Sequence, residues 1–367
     1  MRYLYTGEEA KNVDRHAIET MGIPGMVLME KAAMTVASII MERFDREDAI
    51  LFVAGTGNNG GDAVAAARIL QEEGYQVCLM NVGDSEKMSE EQKKQMEIAN
   101  NCQVPNVDLQ DMLNNHYDLI VDGLFGIGLS KDVEGVQAQI INWMNEHDTP
   151  VISLDIPSGI NSATGAVMGT AVQADMTVTF GVNKLGLIFY PGCEYAGEIV
   201  VANIGFPRKS LSECSSSAYH YELEDLPCLL PSRKNYSNKG SYGKVLVVAG
   251  SENMSGACFL AAKAAYSAGA GLVKVCTPEC NRQSVLSALP EALFCTWDEI
   301  EDAMKWADVI VAGPGLGRSQ GAEDAIKSVL IRGEKPLVLD GDGIYLASFY
   351  KDKIPASTVV TPHLKEL

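Results

Sequence analysis

The chain has 367 residues, 47% hydrophobic and 21% charged, which at about 150 residues per domain predicts roughly two soluble globular domains. Twenty-nine basic residues against 48 acidic ones give a net charge of −19, which argues against nucleic acid and anionic membrane as partners. An anionic ligand would have to be held by backbone amides or helix N-termini, because the overall field repels it.

From the N-terminus, residues 8–20 and 26–43 read as helices, the second with Val27, Met34 and Ala37–Ile40 near one face. A strand–loop–helix rhythm then begins. The apolar run AILFV (49–53) ends in AGTGNNGGD (54–62) and leads into the helical AVAAARILQEEG (63–74). Further strands are expected at 76–80, 118–124, 150–156, 176–181 and 198–205. Apolar strands alternating with helical stretches predict a parallel sheet covered on both faces. Residues 208–224, with Ser clusters, charge and no periodicity, read as a linker. The rhythm restarts with strands at 243–250, 272–277, 307–317, 336–343 and 357–363 and a helix at 256–269. The expectation is α/β throughout, in two doubly wound domains over 1–220 and 221–367.

The nine cysteines are scattered without a CxxC pair and the five histidines lie far apart, so no disulfide framework or zinc site is predicted. The polar start MRYLYTGEEAKNVDRH is no signal peptide, and no apolar run of about 18 residues occurs, so a cytoplasmic protein is expected. The helix with Met26, Met29, Met34 and Met41 reads as core before it reads as a dimer face, which leaves a homo-oligomer open.

In open parallel sheets, ligands bind beyond the carboxyl ends of the strands. In the first domain those ends carry Asn58, Asn59 and Asp62, then Asp122 and the 126–130 loop, then Asp155 and Ser158, then Lys184. Singly, each is as well explained as a helix N-cap. As a set they point to a site. GTGNNG (55–60) is a literal G-x-G-x-x-G, and Asp84 follows near the spacing of a ribose-binding acid, so a nicotinamide dehydrogenase is a second reading. A non-catalytic binding module is a third. Asn59, Asp122 and Ser158 are hard oxygen donors that suit a hard cation, or else form a hydrogen-bonded trio with water. In the second domain, GSENMSGA (250–257) and GPGLG (313–317) are Gly loops after strands, with Asp340, Asp342 and His363 at other strand ends.

The motifs GTGNNGGDAVAAAR, LIVDGLFGIGL, SLDIPSGI and TFGVNKLGL resemble the epimerase half of the bifunctional NAD(P)H-hydrate repair enzymes. KGSYGKVLVVAGS, VAGPGLG, LVLDGDG and TPHLKEL resemble the ribokinase-like dehydratase half. The resemblance implies a Rossmann-like first domain that epimerises R and S forms of NADHX and NADPHX, and a second that dehydrates the S form with ADP or ATP and magnesium. It implies that Asn58, Asn59, Gly60, Gly61 and Asp62, with Gly126, Ile127, Gly128, Leu129, Ser130, Lys131, Asp132 and Asp155, hold the hydrated dinucleotide. Ala257, Gly317 and His363 would contact substrate in the second domain. Asn59, Asp122 and Ser158 would bind a potassium ion, and Asp155 and Lys184 would be catalytic. Three departures stand out: Ala63 for the usual Gly, Gly341 for Ala, and Leu364–Lys365 for Pro-Gly. A later Gly-rich loop with a catalytic Asp does not occur in these residues. The expectation is therefore an incomplete ribokinase-like domain, truncated at its C-terminal part, with dehydration lost.

Overall fold

The computed structural model describes residues 2–230, 232–332 and 334–366. The chain divides into two compact units, Met1–Leu230 and Pro231–Leu367.

The first unit opens with strand β1 (Arg2–Tyr5) and helix α1 (Gly7–Arg15), which continues through a π-helical turn at His16–Thr20. Thr6 and Glu9 cap α1 reciprocally, each side chain accepting from the other's backbone N–H. Then come α2 (Gly25–Met41), β2 (Ala49–Ala54), α3 (Asn58–Glu72), β3 (Gln76–Asn81), α4 (Glu90–Asn101), α5 (Leu109–Asn114), β4 (Leu119–Gly123), α6 (Gly135–Glu146) and β5 (Val151–Leu154). β6 (Met176–Phe180), β7 (Asn183–Lys184), α7 (Gly192–Tyr195), β8 (Glu198–Ala202), α8 (Arg208–Glu213), β9 (Ala218–His220) and α9 (Leu226–Leu229) complete the unit.

Six parallel strands form its main sheet in the order β3-β2-β4-β5-β6-β8. Alternation along β2 shows why its apolar run is unbroken. Ile50 and Phe52 pack with Leu28, Val36 and Val64 on one face, while Leu51 and Val53 pack with Met112, Ile140 and Ile141 on the other. The chain leaves β2 toward β3 and returns to β4 on the opposite side, so a crevice opens between the carboxyl ends of β2 and β4.

Residues 208–224, expected as a linker, instead fold onto this unit. β1 pairs in parallel with β7 and antiparallel with β9, with Arg2 opposite His220. Ser210 on α8 is buried and lies 3.0 Å from His16 Nδ1. Elements of three and six residues are too short to show periodicity, and tertiary pairing alone orders them.

The second unit contains β10 (Lys244–Val248), α10 (Ser255–Ser267), β11 (Leu272–Cys276), α11 (Arg282–Ala288), β12 (Leu293–Cys295), α12 (Ile300–Trp306), β13 (Val309–Ala312), α13 (Gln320–Arg332), β14 (Leu337–Asp340), α14 (Asp342–Ala347) and β15 (Thr358–Thr361). Its sheet is parallel, ordered β12-β11-β10-β13-β14-β15. Cores lie on both faces, one around Ile310, Ile326 and Leu339, the other around Val247, Val273 and Val285. Among the described residues no helix is long and apolar enough to cross a membrane.

Candidate active site

The Gly-rich turn after β2 is built by close approach. A Cβ on Gly55 would lie 1.9 Å from the Leu124 carbonyl oxygen, and one on Gly60 would lie 2.1 Å from the Gly55 oxygen. No side chain caps α3, whose first helical bond runs from Gly61 N to Gly57 O at 3.2 Å. The amides of the preceding residues are left without helical acceptors, an arrangement suited to an anion. Gln92 on α4 donates its amide to the Gly55 oxygen, and Ser89 N donates to the Thr56 oxygen at 3.2 Å. The Gly55 and Thr56 carbonyls are thereby held by α4 and its capping residue. Ala63, the departure in this motif, is buried against Gly123, where an added Cβ would come within 2.6 Å of the Ala63 methyl.

Asp155 follows β5 in the left-handed conformation, φ 65°, which Asp tolerates better than most residues. Its Oδ1 accepts from Lys184 Nζ at 2.5 Å. The same ammonium donates to Thr179 Oγ1 at 2.9 Å and to the Phe180 oxygen at 3.0 Å, so all three of its protons are used. β1 lies directly beside this lysine, with Tyr5 in register with it.

Both residues line a cavity of about 590 Å³, with Asn58, Asn59 and Asp62 of α3 and residues 126–131 of the loop after β4. Asp132 lies outside the lining, and Gly60 and Gly61 serve as packing backbone against Gly55 and Met29. The sequence reading gives the helix at 8–20 but not its place in the site: α1 lines the cavity with Lys11 and Asp14. The available signal was two opposite charges one helical turn apart, a pattern that surface helices share. Burial pushes the Asp62 carboxyl well above the usual carboxylate range, and the negative charges of Asp155 and Asp14 add to the rise while Lys184 opposes it. Asp14 is raised too, first by burial, then by Asp155 and Glu91. Besides Glu91, the cavity thus holds one ion-paired carboxylate and two carboxyls biased toward the protonated form.

Beneath the loop, Asp122 is fully buried and accepts from Ser153 Oγ (2.8 Å), Ser158 N (2.9 Å), Ser158 Oγ (2.6 Å) and Leu124 N (3.1 Å). Its pKa is raised by burial, against the lowering effect of these bonds. Asn59 donates to the Phe125 and Leu154 oxygens at 3.0 and 3.1 Å, while its own Oδ1 is buried without a partner. Asp84, the acid of the dehydrogenase reading, caps Glu86 N at 3.0 Å and does not line the cavity.

In the second unit the two Gly loops meet. Gly250 N donates to the Pro314 oxygen at 2.9 Å, and a Cβ on Gly315 would lie 2.5 Å from the Ala257 methyl. Asp342 Oδ2 accepts from Gly317 N at 3.0 Å and its Oδ1 accepts from Arg318 Nε at 3.0 Å. Gly341 has φ 52° and ψ −127°, a conformation that favours glycine over the alanine of the departure noted above. His363 is exposed beyond β15, two strands from β13, and its N–H bonds Glu366 at 2.9 Å. Ala257, Gly317 and Asp342 are brought together, and His363 stands apart from them.

A doubly wound unit with a cavity at its switch point that gathers carboxylates, amides and lysines, followed by a second parallel unit with converging Gly loops, defines a two-domain α/β enzyme. The family profile described as YjeF-related protein N-terminus matches residues 25–186, and that described as NAD(P)H-hydrate dehydratase matches 245–367. The bifunctional NAD(P)H-hydrate repair enzyme of Thermofilum pendens is 35% identical over 98% of this chain and 72% of its own length. That of Coxiella burnetii is 34% identical over 99% and 74%. The NAD(P)H-hydrate epimerase of Limosilactobacillus reuteri is 46% identical over 54% of this chain and 94% of its own. The crystal structure of yeast YNL200c superposes with a TM-score of 0.52 at 22% identity, over 60% of this chain and 97% of that one, a likeness of fold alone. The chain belongs to the family of bifunctional NAD(P)H-hydrate repair enzymes. The expected loss of the second activity by truncation is not upheld: relatives named bifunctional align along nearly the whole chain, and both the epimerase-type and the dehydratase-type domain are matched.

Proposed function

We propose that the first unit interconverts the R and S epimers of NADHX and NADPHX at the cavity between β2 and β4, and that the second dehydrates the S epimer with ADP or ATP and magnesium. The observation that supports this most is the Asp155–Lys184 pair, buried in the cavity that also borders the uncapped start of α3. The α3 amides hold the pyrophosphate, and residues 126–132 close over the dinucleotide. The hydrated ring is uncharged, so it suits a floor where Asp62 and Asp14 are biased toward neutrality.

Epimerisation requires a bond at C6 of the ring to break and re-form. Asp155 accepts and returns the proton as general base, and Lys184 fixes its orientation while supplying positive charge. Asn59, Asp122 and Ser158 hold a potassium ion. The unpartnered Asn59 Oδ1 beside an oxygen-rich cluster supports that donor set. When bound, the ion supplies positive charge beneath the loop that carries the substrate contacts. In the second unit, the Gly loops at 250–257 and 313–317 cradle phosphates, with Ala257, Gly317 and His363 toward substrate.

Purified S-NADHX supplied to the full chain tests both halves. Without nucleotide it should give a mixture of S and R epimers, and with ADP or ATP and magnesium it should yield NADH. Tight binding of intact NADH with no action on the hydrate would instead favour a hydride-transfer enzyme, and hydrate binding without turnover a non-catalytic module.

A further inference from the structure

We propose that Lys11 is a ligand for a substrate phosphate, which makes the N-terminal helix α1 a working wall of the site. This rests on the epimerase reading above. α1 lies before residue 25, where the match to the YjeF-related profile begins, yet it contributes Lys11 and Asp14 to the cavity.

Three observations converge on Lys11. First, its helix is fixed at the N-terminal end, one turn before Lys11. The Thr6–Glu9 box caps α1, β1 anchors it between β7 and β9, and a Cβ on Gly7 would meet the Ile127 oxygen at 3.1 Å, so the helix rests on the loop after β4. Second, the Lys11 ammonium reaches that loop, Nζ lying 3.9 Å from where a Cβ on Gly128 would stand. Third, the cavity holds three lysines, and Lys184 is consumed by Asp155, whereas Lys11 and Lys131 form no ion pair among the described residues.

Charge makes the third point count. The chain carries −19, and the cavity wall bears Glu91 and Asp155 besides the two carboxyls, Asp14 and Asp62, that are biased toward neutrality. A dianionic phosphate entering here meets repulsion unless a cation stands at its destination. The α3 amides supply one partial positive end, and Lys11 with Lys131 supplies two full charges on the loop side. The ligand chemistry is a phosphate ester, either the bridging pyrophosphate common to both substrates or the 2′-phosphate of NADPHX.

The test uses the full chain with Lys11→Ala, Lys11→Glu and Lys11→Arg. Epimerisation is followed with S-NADHX and S-NADPHX, and calorimetry measures binding of inorganic pyrophosphate and 2′,5′-ADP. Lys11→Ala should raise KM about tenfold with kcat within about twofold, the loss of one charge-assisted contact. Lys11→Glu should be worse, and Lys11→Arg should recover most of the loss. Loss shared by both substrates and by pyrophosphate identifies the bridge, while loss confined to NADPHX and 2′,5′-ADP identifies the 2′-phosphate. Unchanged KM and unchanged affinity for both probes would overturn the proposal, as would a fall in kcat at constant KM. A wild-type protein that binds pyrophosphate through Lys11 yet epimerises nothing would leave the proposal standing and sink the epimerase reading.

Discussion

Lys184 and Asp155 form a buried ion pair, Nζ to Oδ1 2.5 Å, with side chains 2% and 11% exposed. A pair this deep is held by geometry, since each ion has lost its water and depends on the other. Asp155→Ala should lower epimerisation at least about 100-fold, the usual scale of a lost acid–base group. It should also destabilise the unit by about 3 kcal/mol, because the Lys184 charge is left unpaired. The double variant Asp155→Leu/Lys184→Met should regain much of that stability in urea unfolding while staying inactive. Wild-type turnover by Asp155→Ala would remove Asp155 from the mechanism.

Ala63 and Gly123 divide one space between them. Gly123→Ala should cost about 1–3 kcal/mol by overpacking, and Ala63→Gly about 1 kcal/mol through helix propensity. The pair should couple: in the double variant the new methyl at 123 occupies the space vacated at 63, so its cost falls below the sum of the singles. The Asn59 backbone carbonyl oxygen, 3.1 Å from the same added Cβ, keeps the rescue partial. Additive effects in a double-mutant cycle would contradict the packing described.

Asp62 sets a pH dependence. A carboxyl whose pKa rises on folding binds its proton more tightly in the folded state. The folded state is therefore unpenalised below the unfolded carboxylate value, about 4, and loses stability as pH climbs from there toward the raised value. Asp62→Asn cannot ionise. Its urea midpoint should exceed that of the wild type at pH 8 and approach it at pH 5, with Asp14 supplying the slope that remains. A steeper fall with pH in the variant would reverse this account.

Asp122→Asn should destabilise by about 1–3 kcal/mol, since its amide nitrogen would face either the Leu124 N and Ser158 Oγ donors or the Ser153 Oγ and Ser158 N donors. If Asn59, Asp122 and Ser158 hold potassium, replacing it by tetramethylammonium should raise the KM for hydrate in the wild type and leave the Asp122→Asn protein little changed. Epimerisation indifferent to the monovalent cation would dispose of the ion.

Much of this was legible in residues whose local and tertiary demands coincide. Phe52 and Val53 announce a strand buried on two faces, and Gly55 and Gly60 announce a turn where chains touch. Asp155 and Lys184 stood out as polar ends of apolar strands, although their mutual bond spans 29 positions and no local rule joins them. Asp14 was hidden because its helix looks like any surface helix until β1 is seen to hold it against the sheet. β9 was hidden for the same reason: Tyr219 gains its structure from Tyr3, more than two hundred residues earlier.

The pairing of Arg2 with His220 makes the first unit a loop of chain whose two ends meet. Such a module can be excised, permuted or spliced beside another with little disturbance, because its entry and exit are already neighbours. It also imposes an order on biosynthesis. β9, which completes the pairing of β1, is among the last parts of the unit to leave the ribosome, so the full bracing of α1, whose Lys11 and Asp14 line the cavity, waits for it.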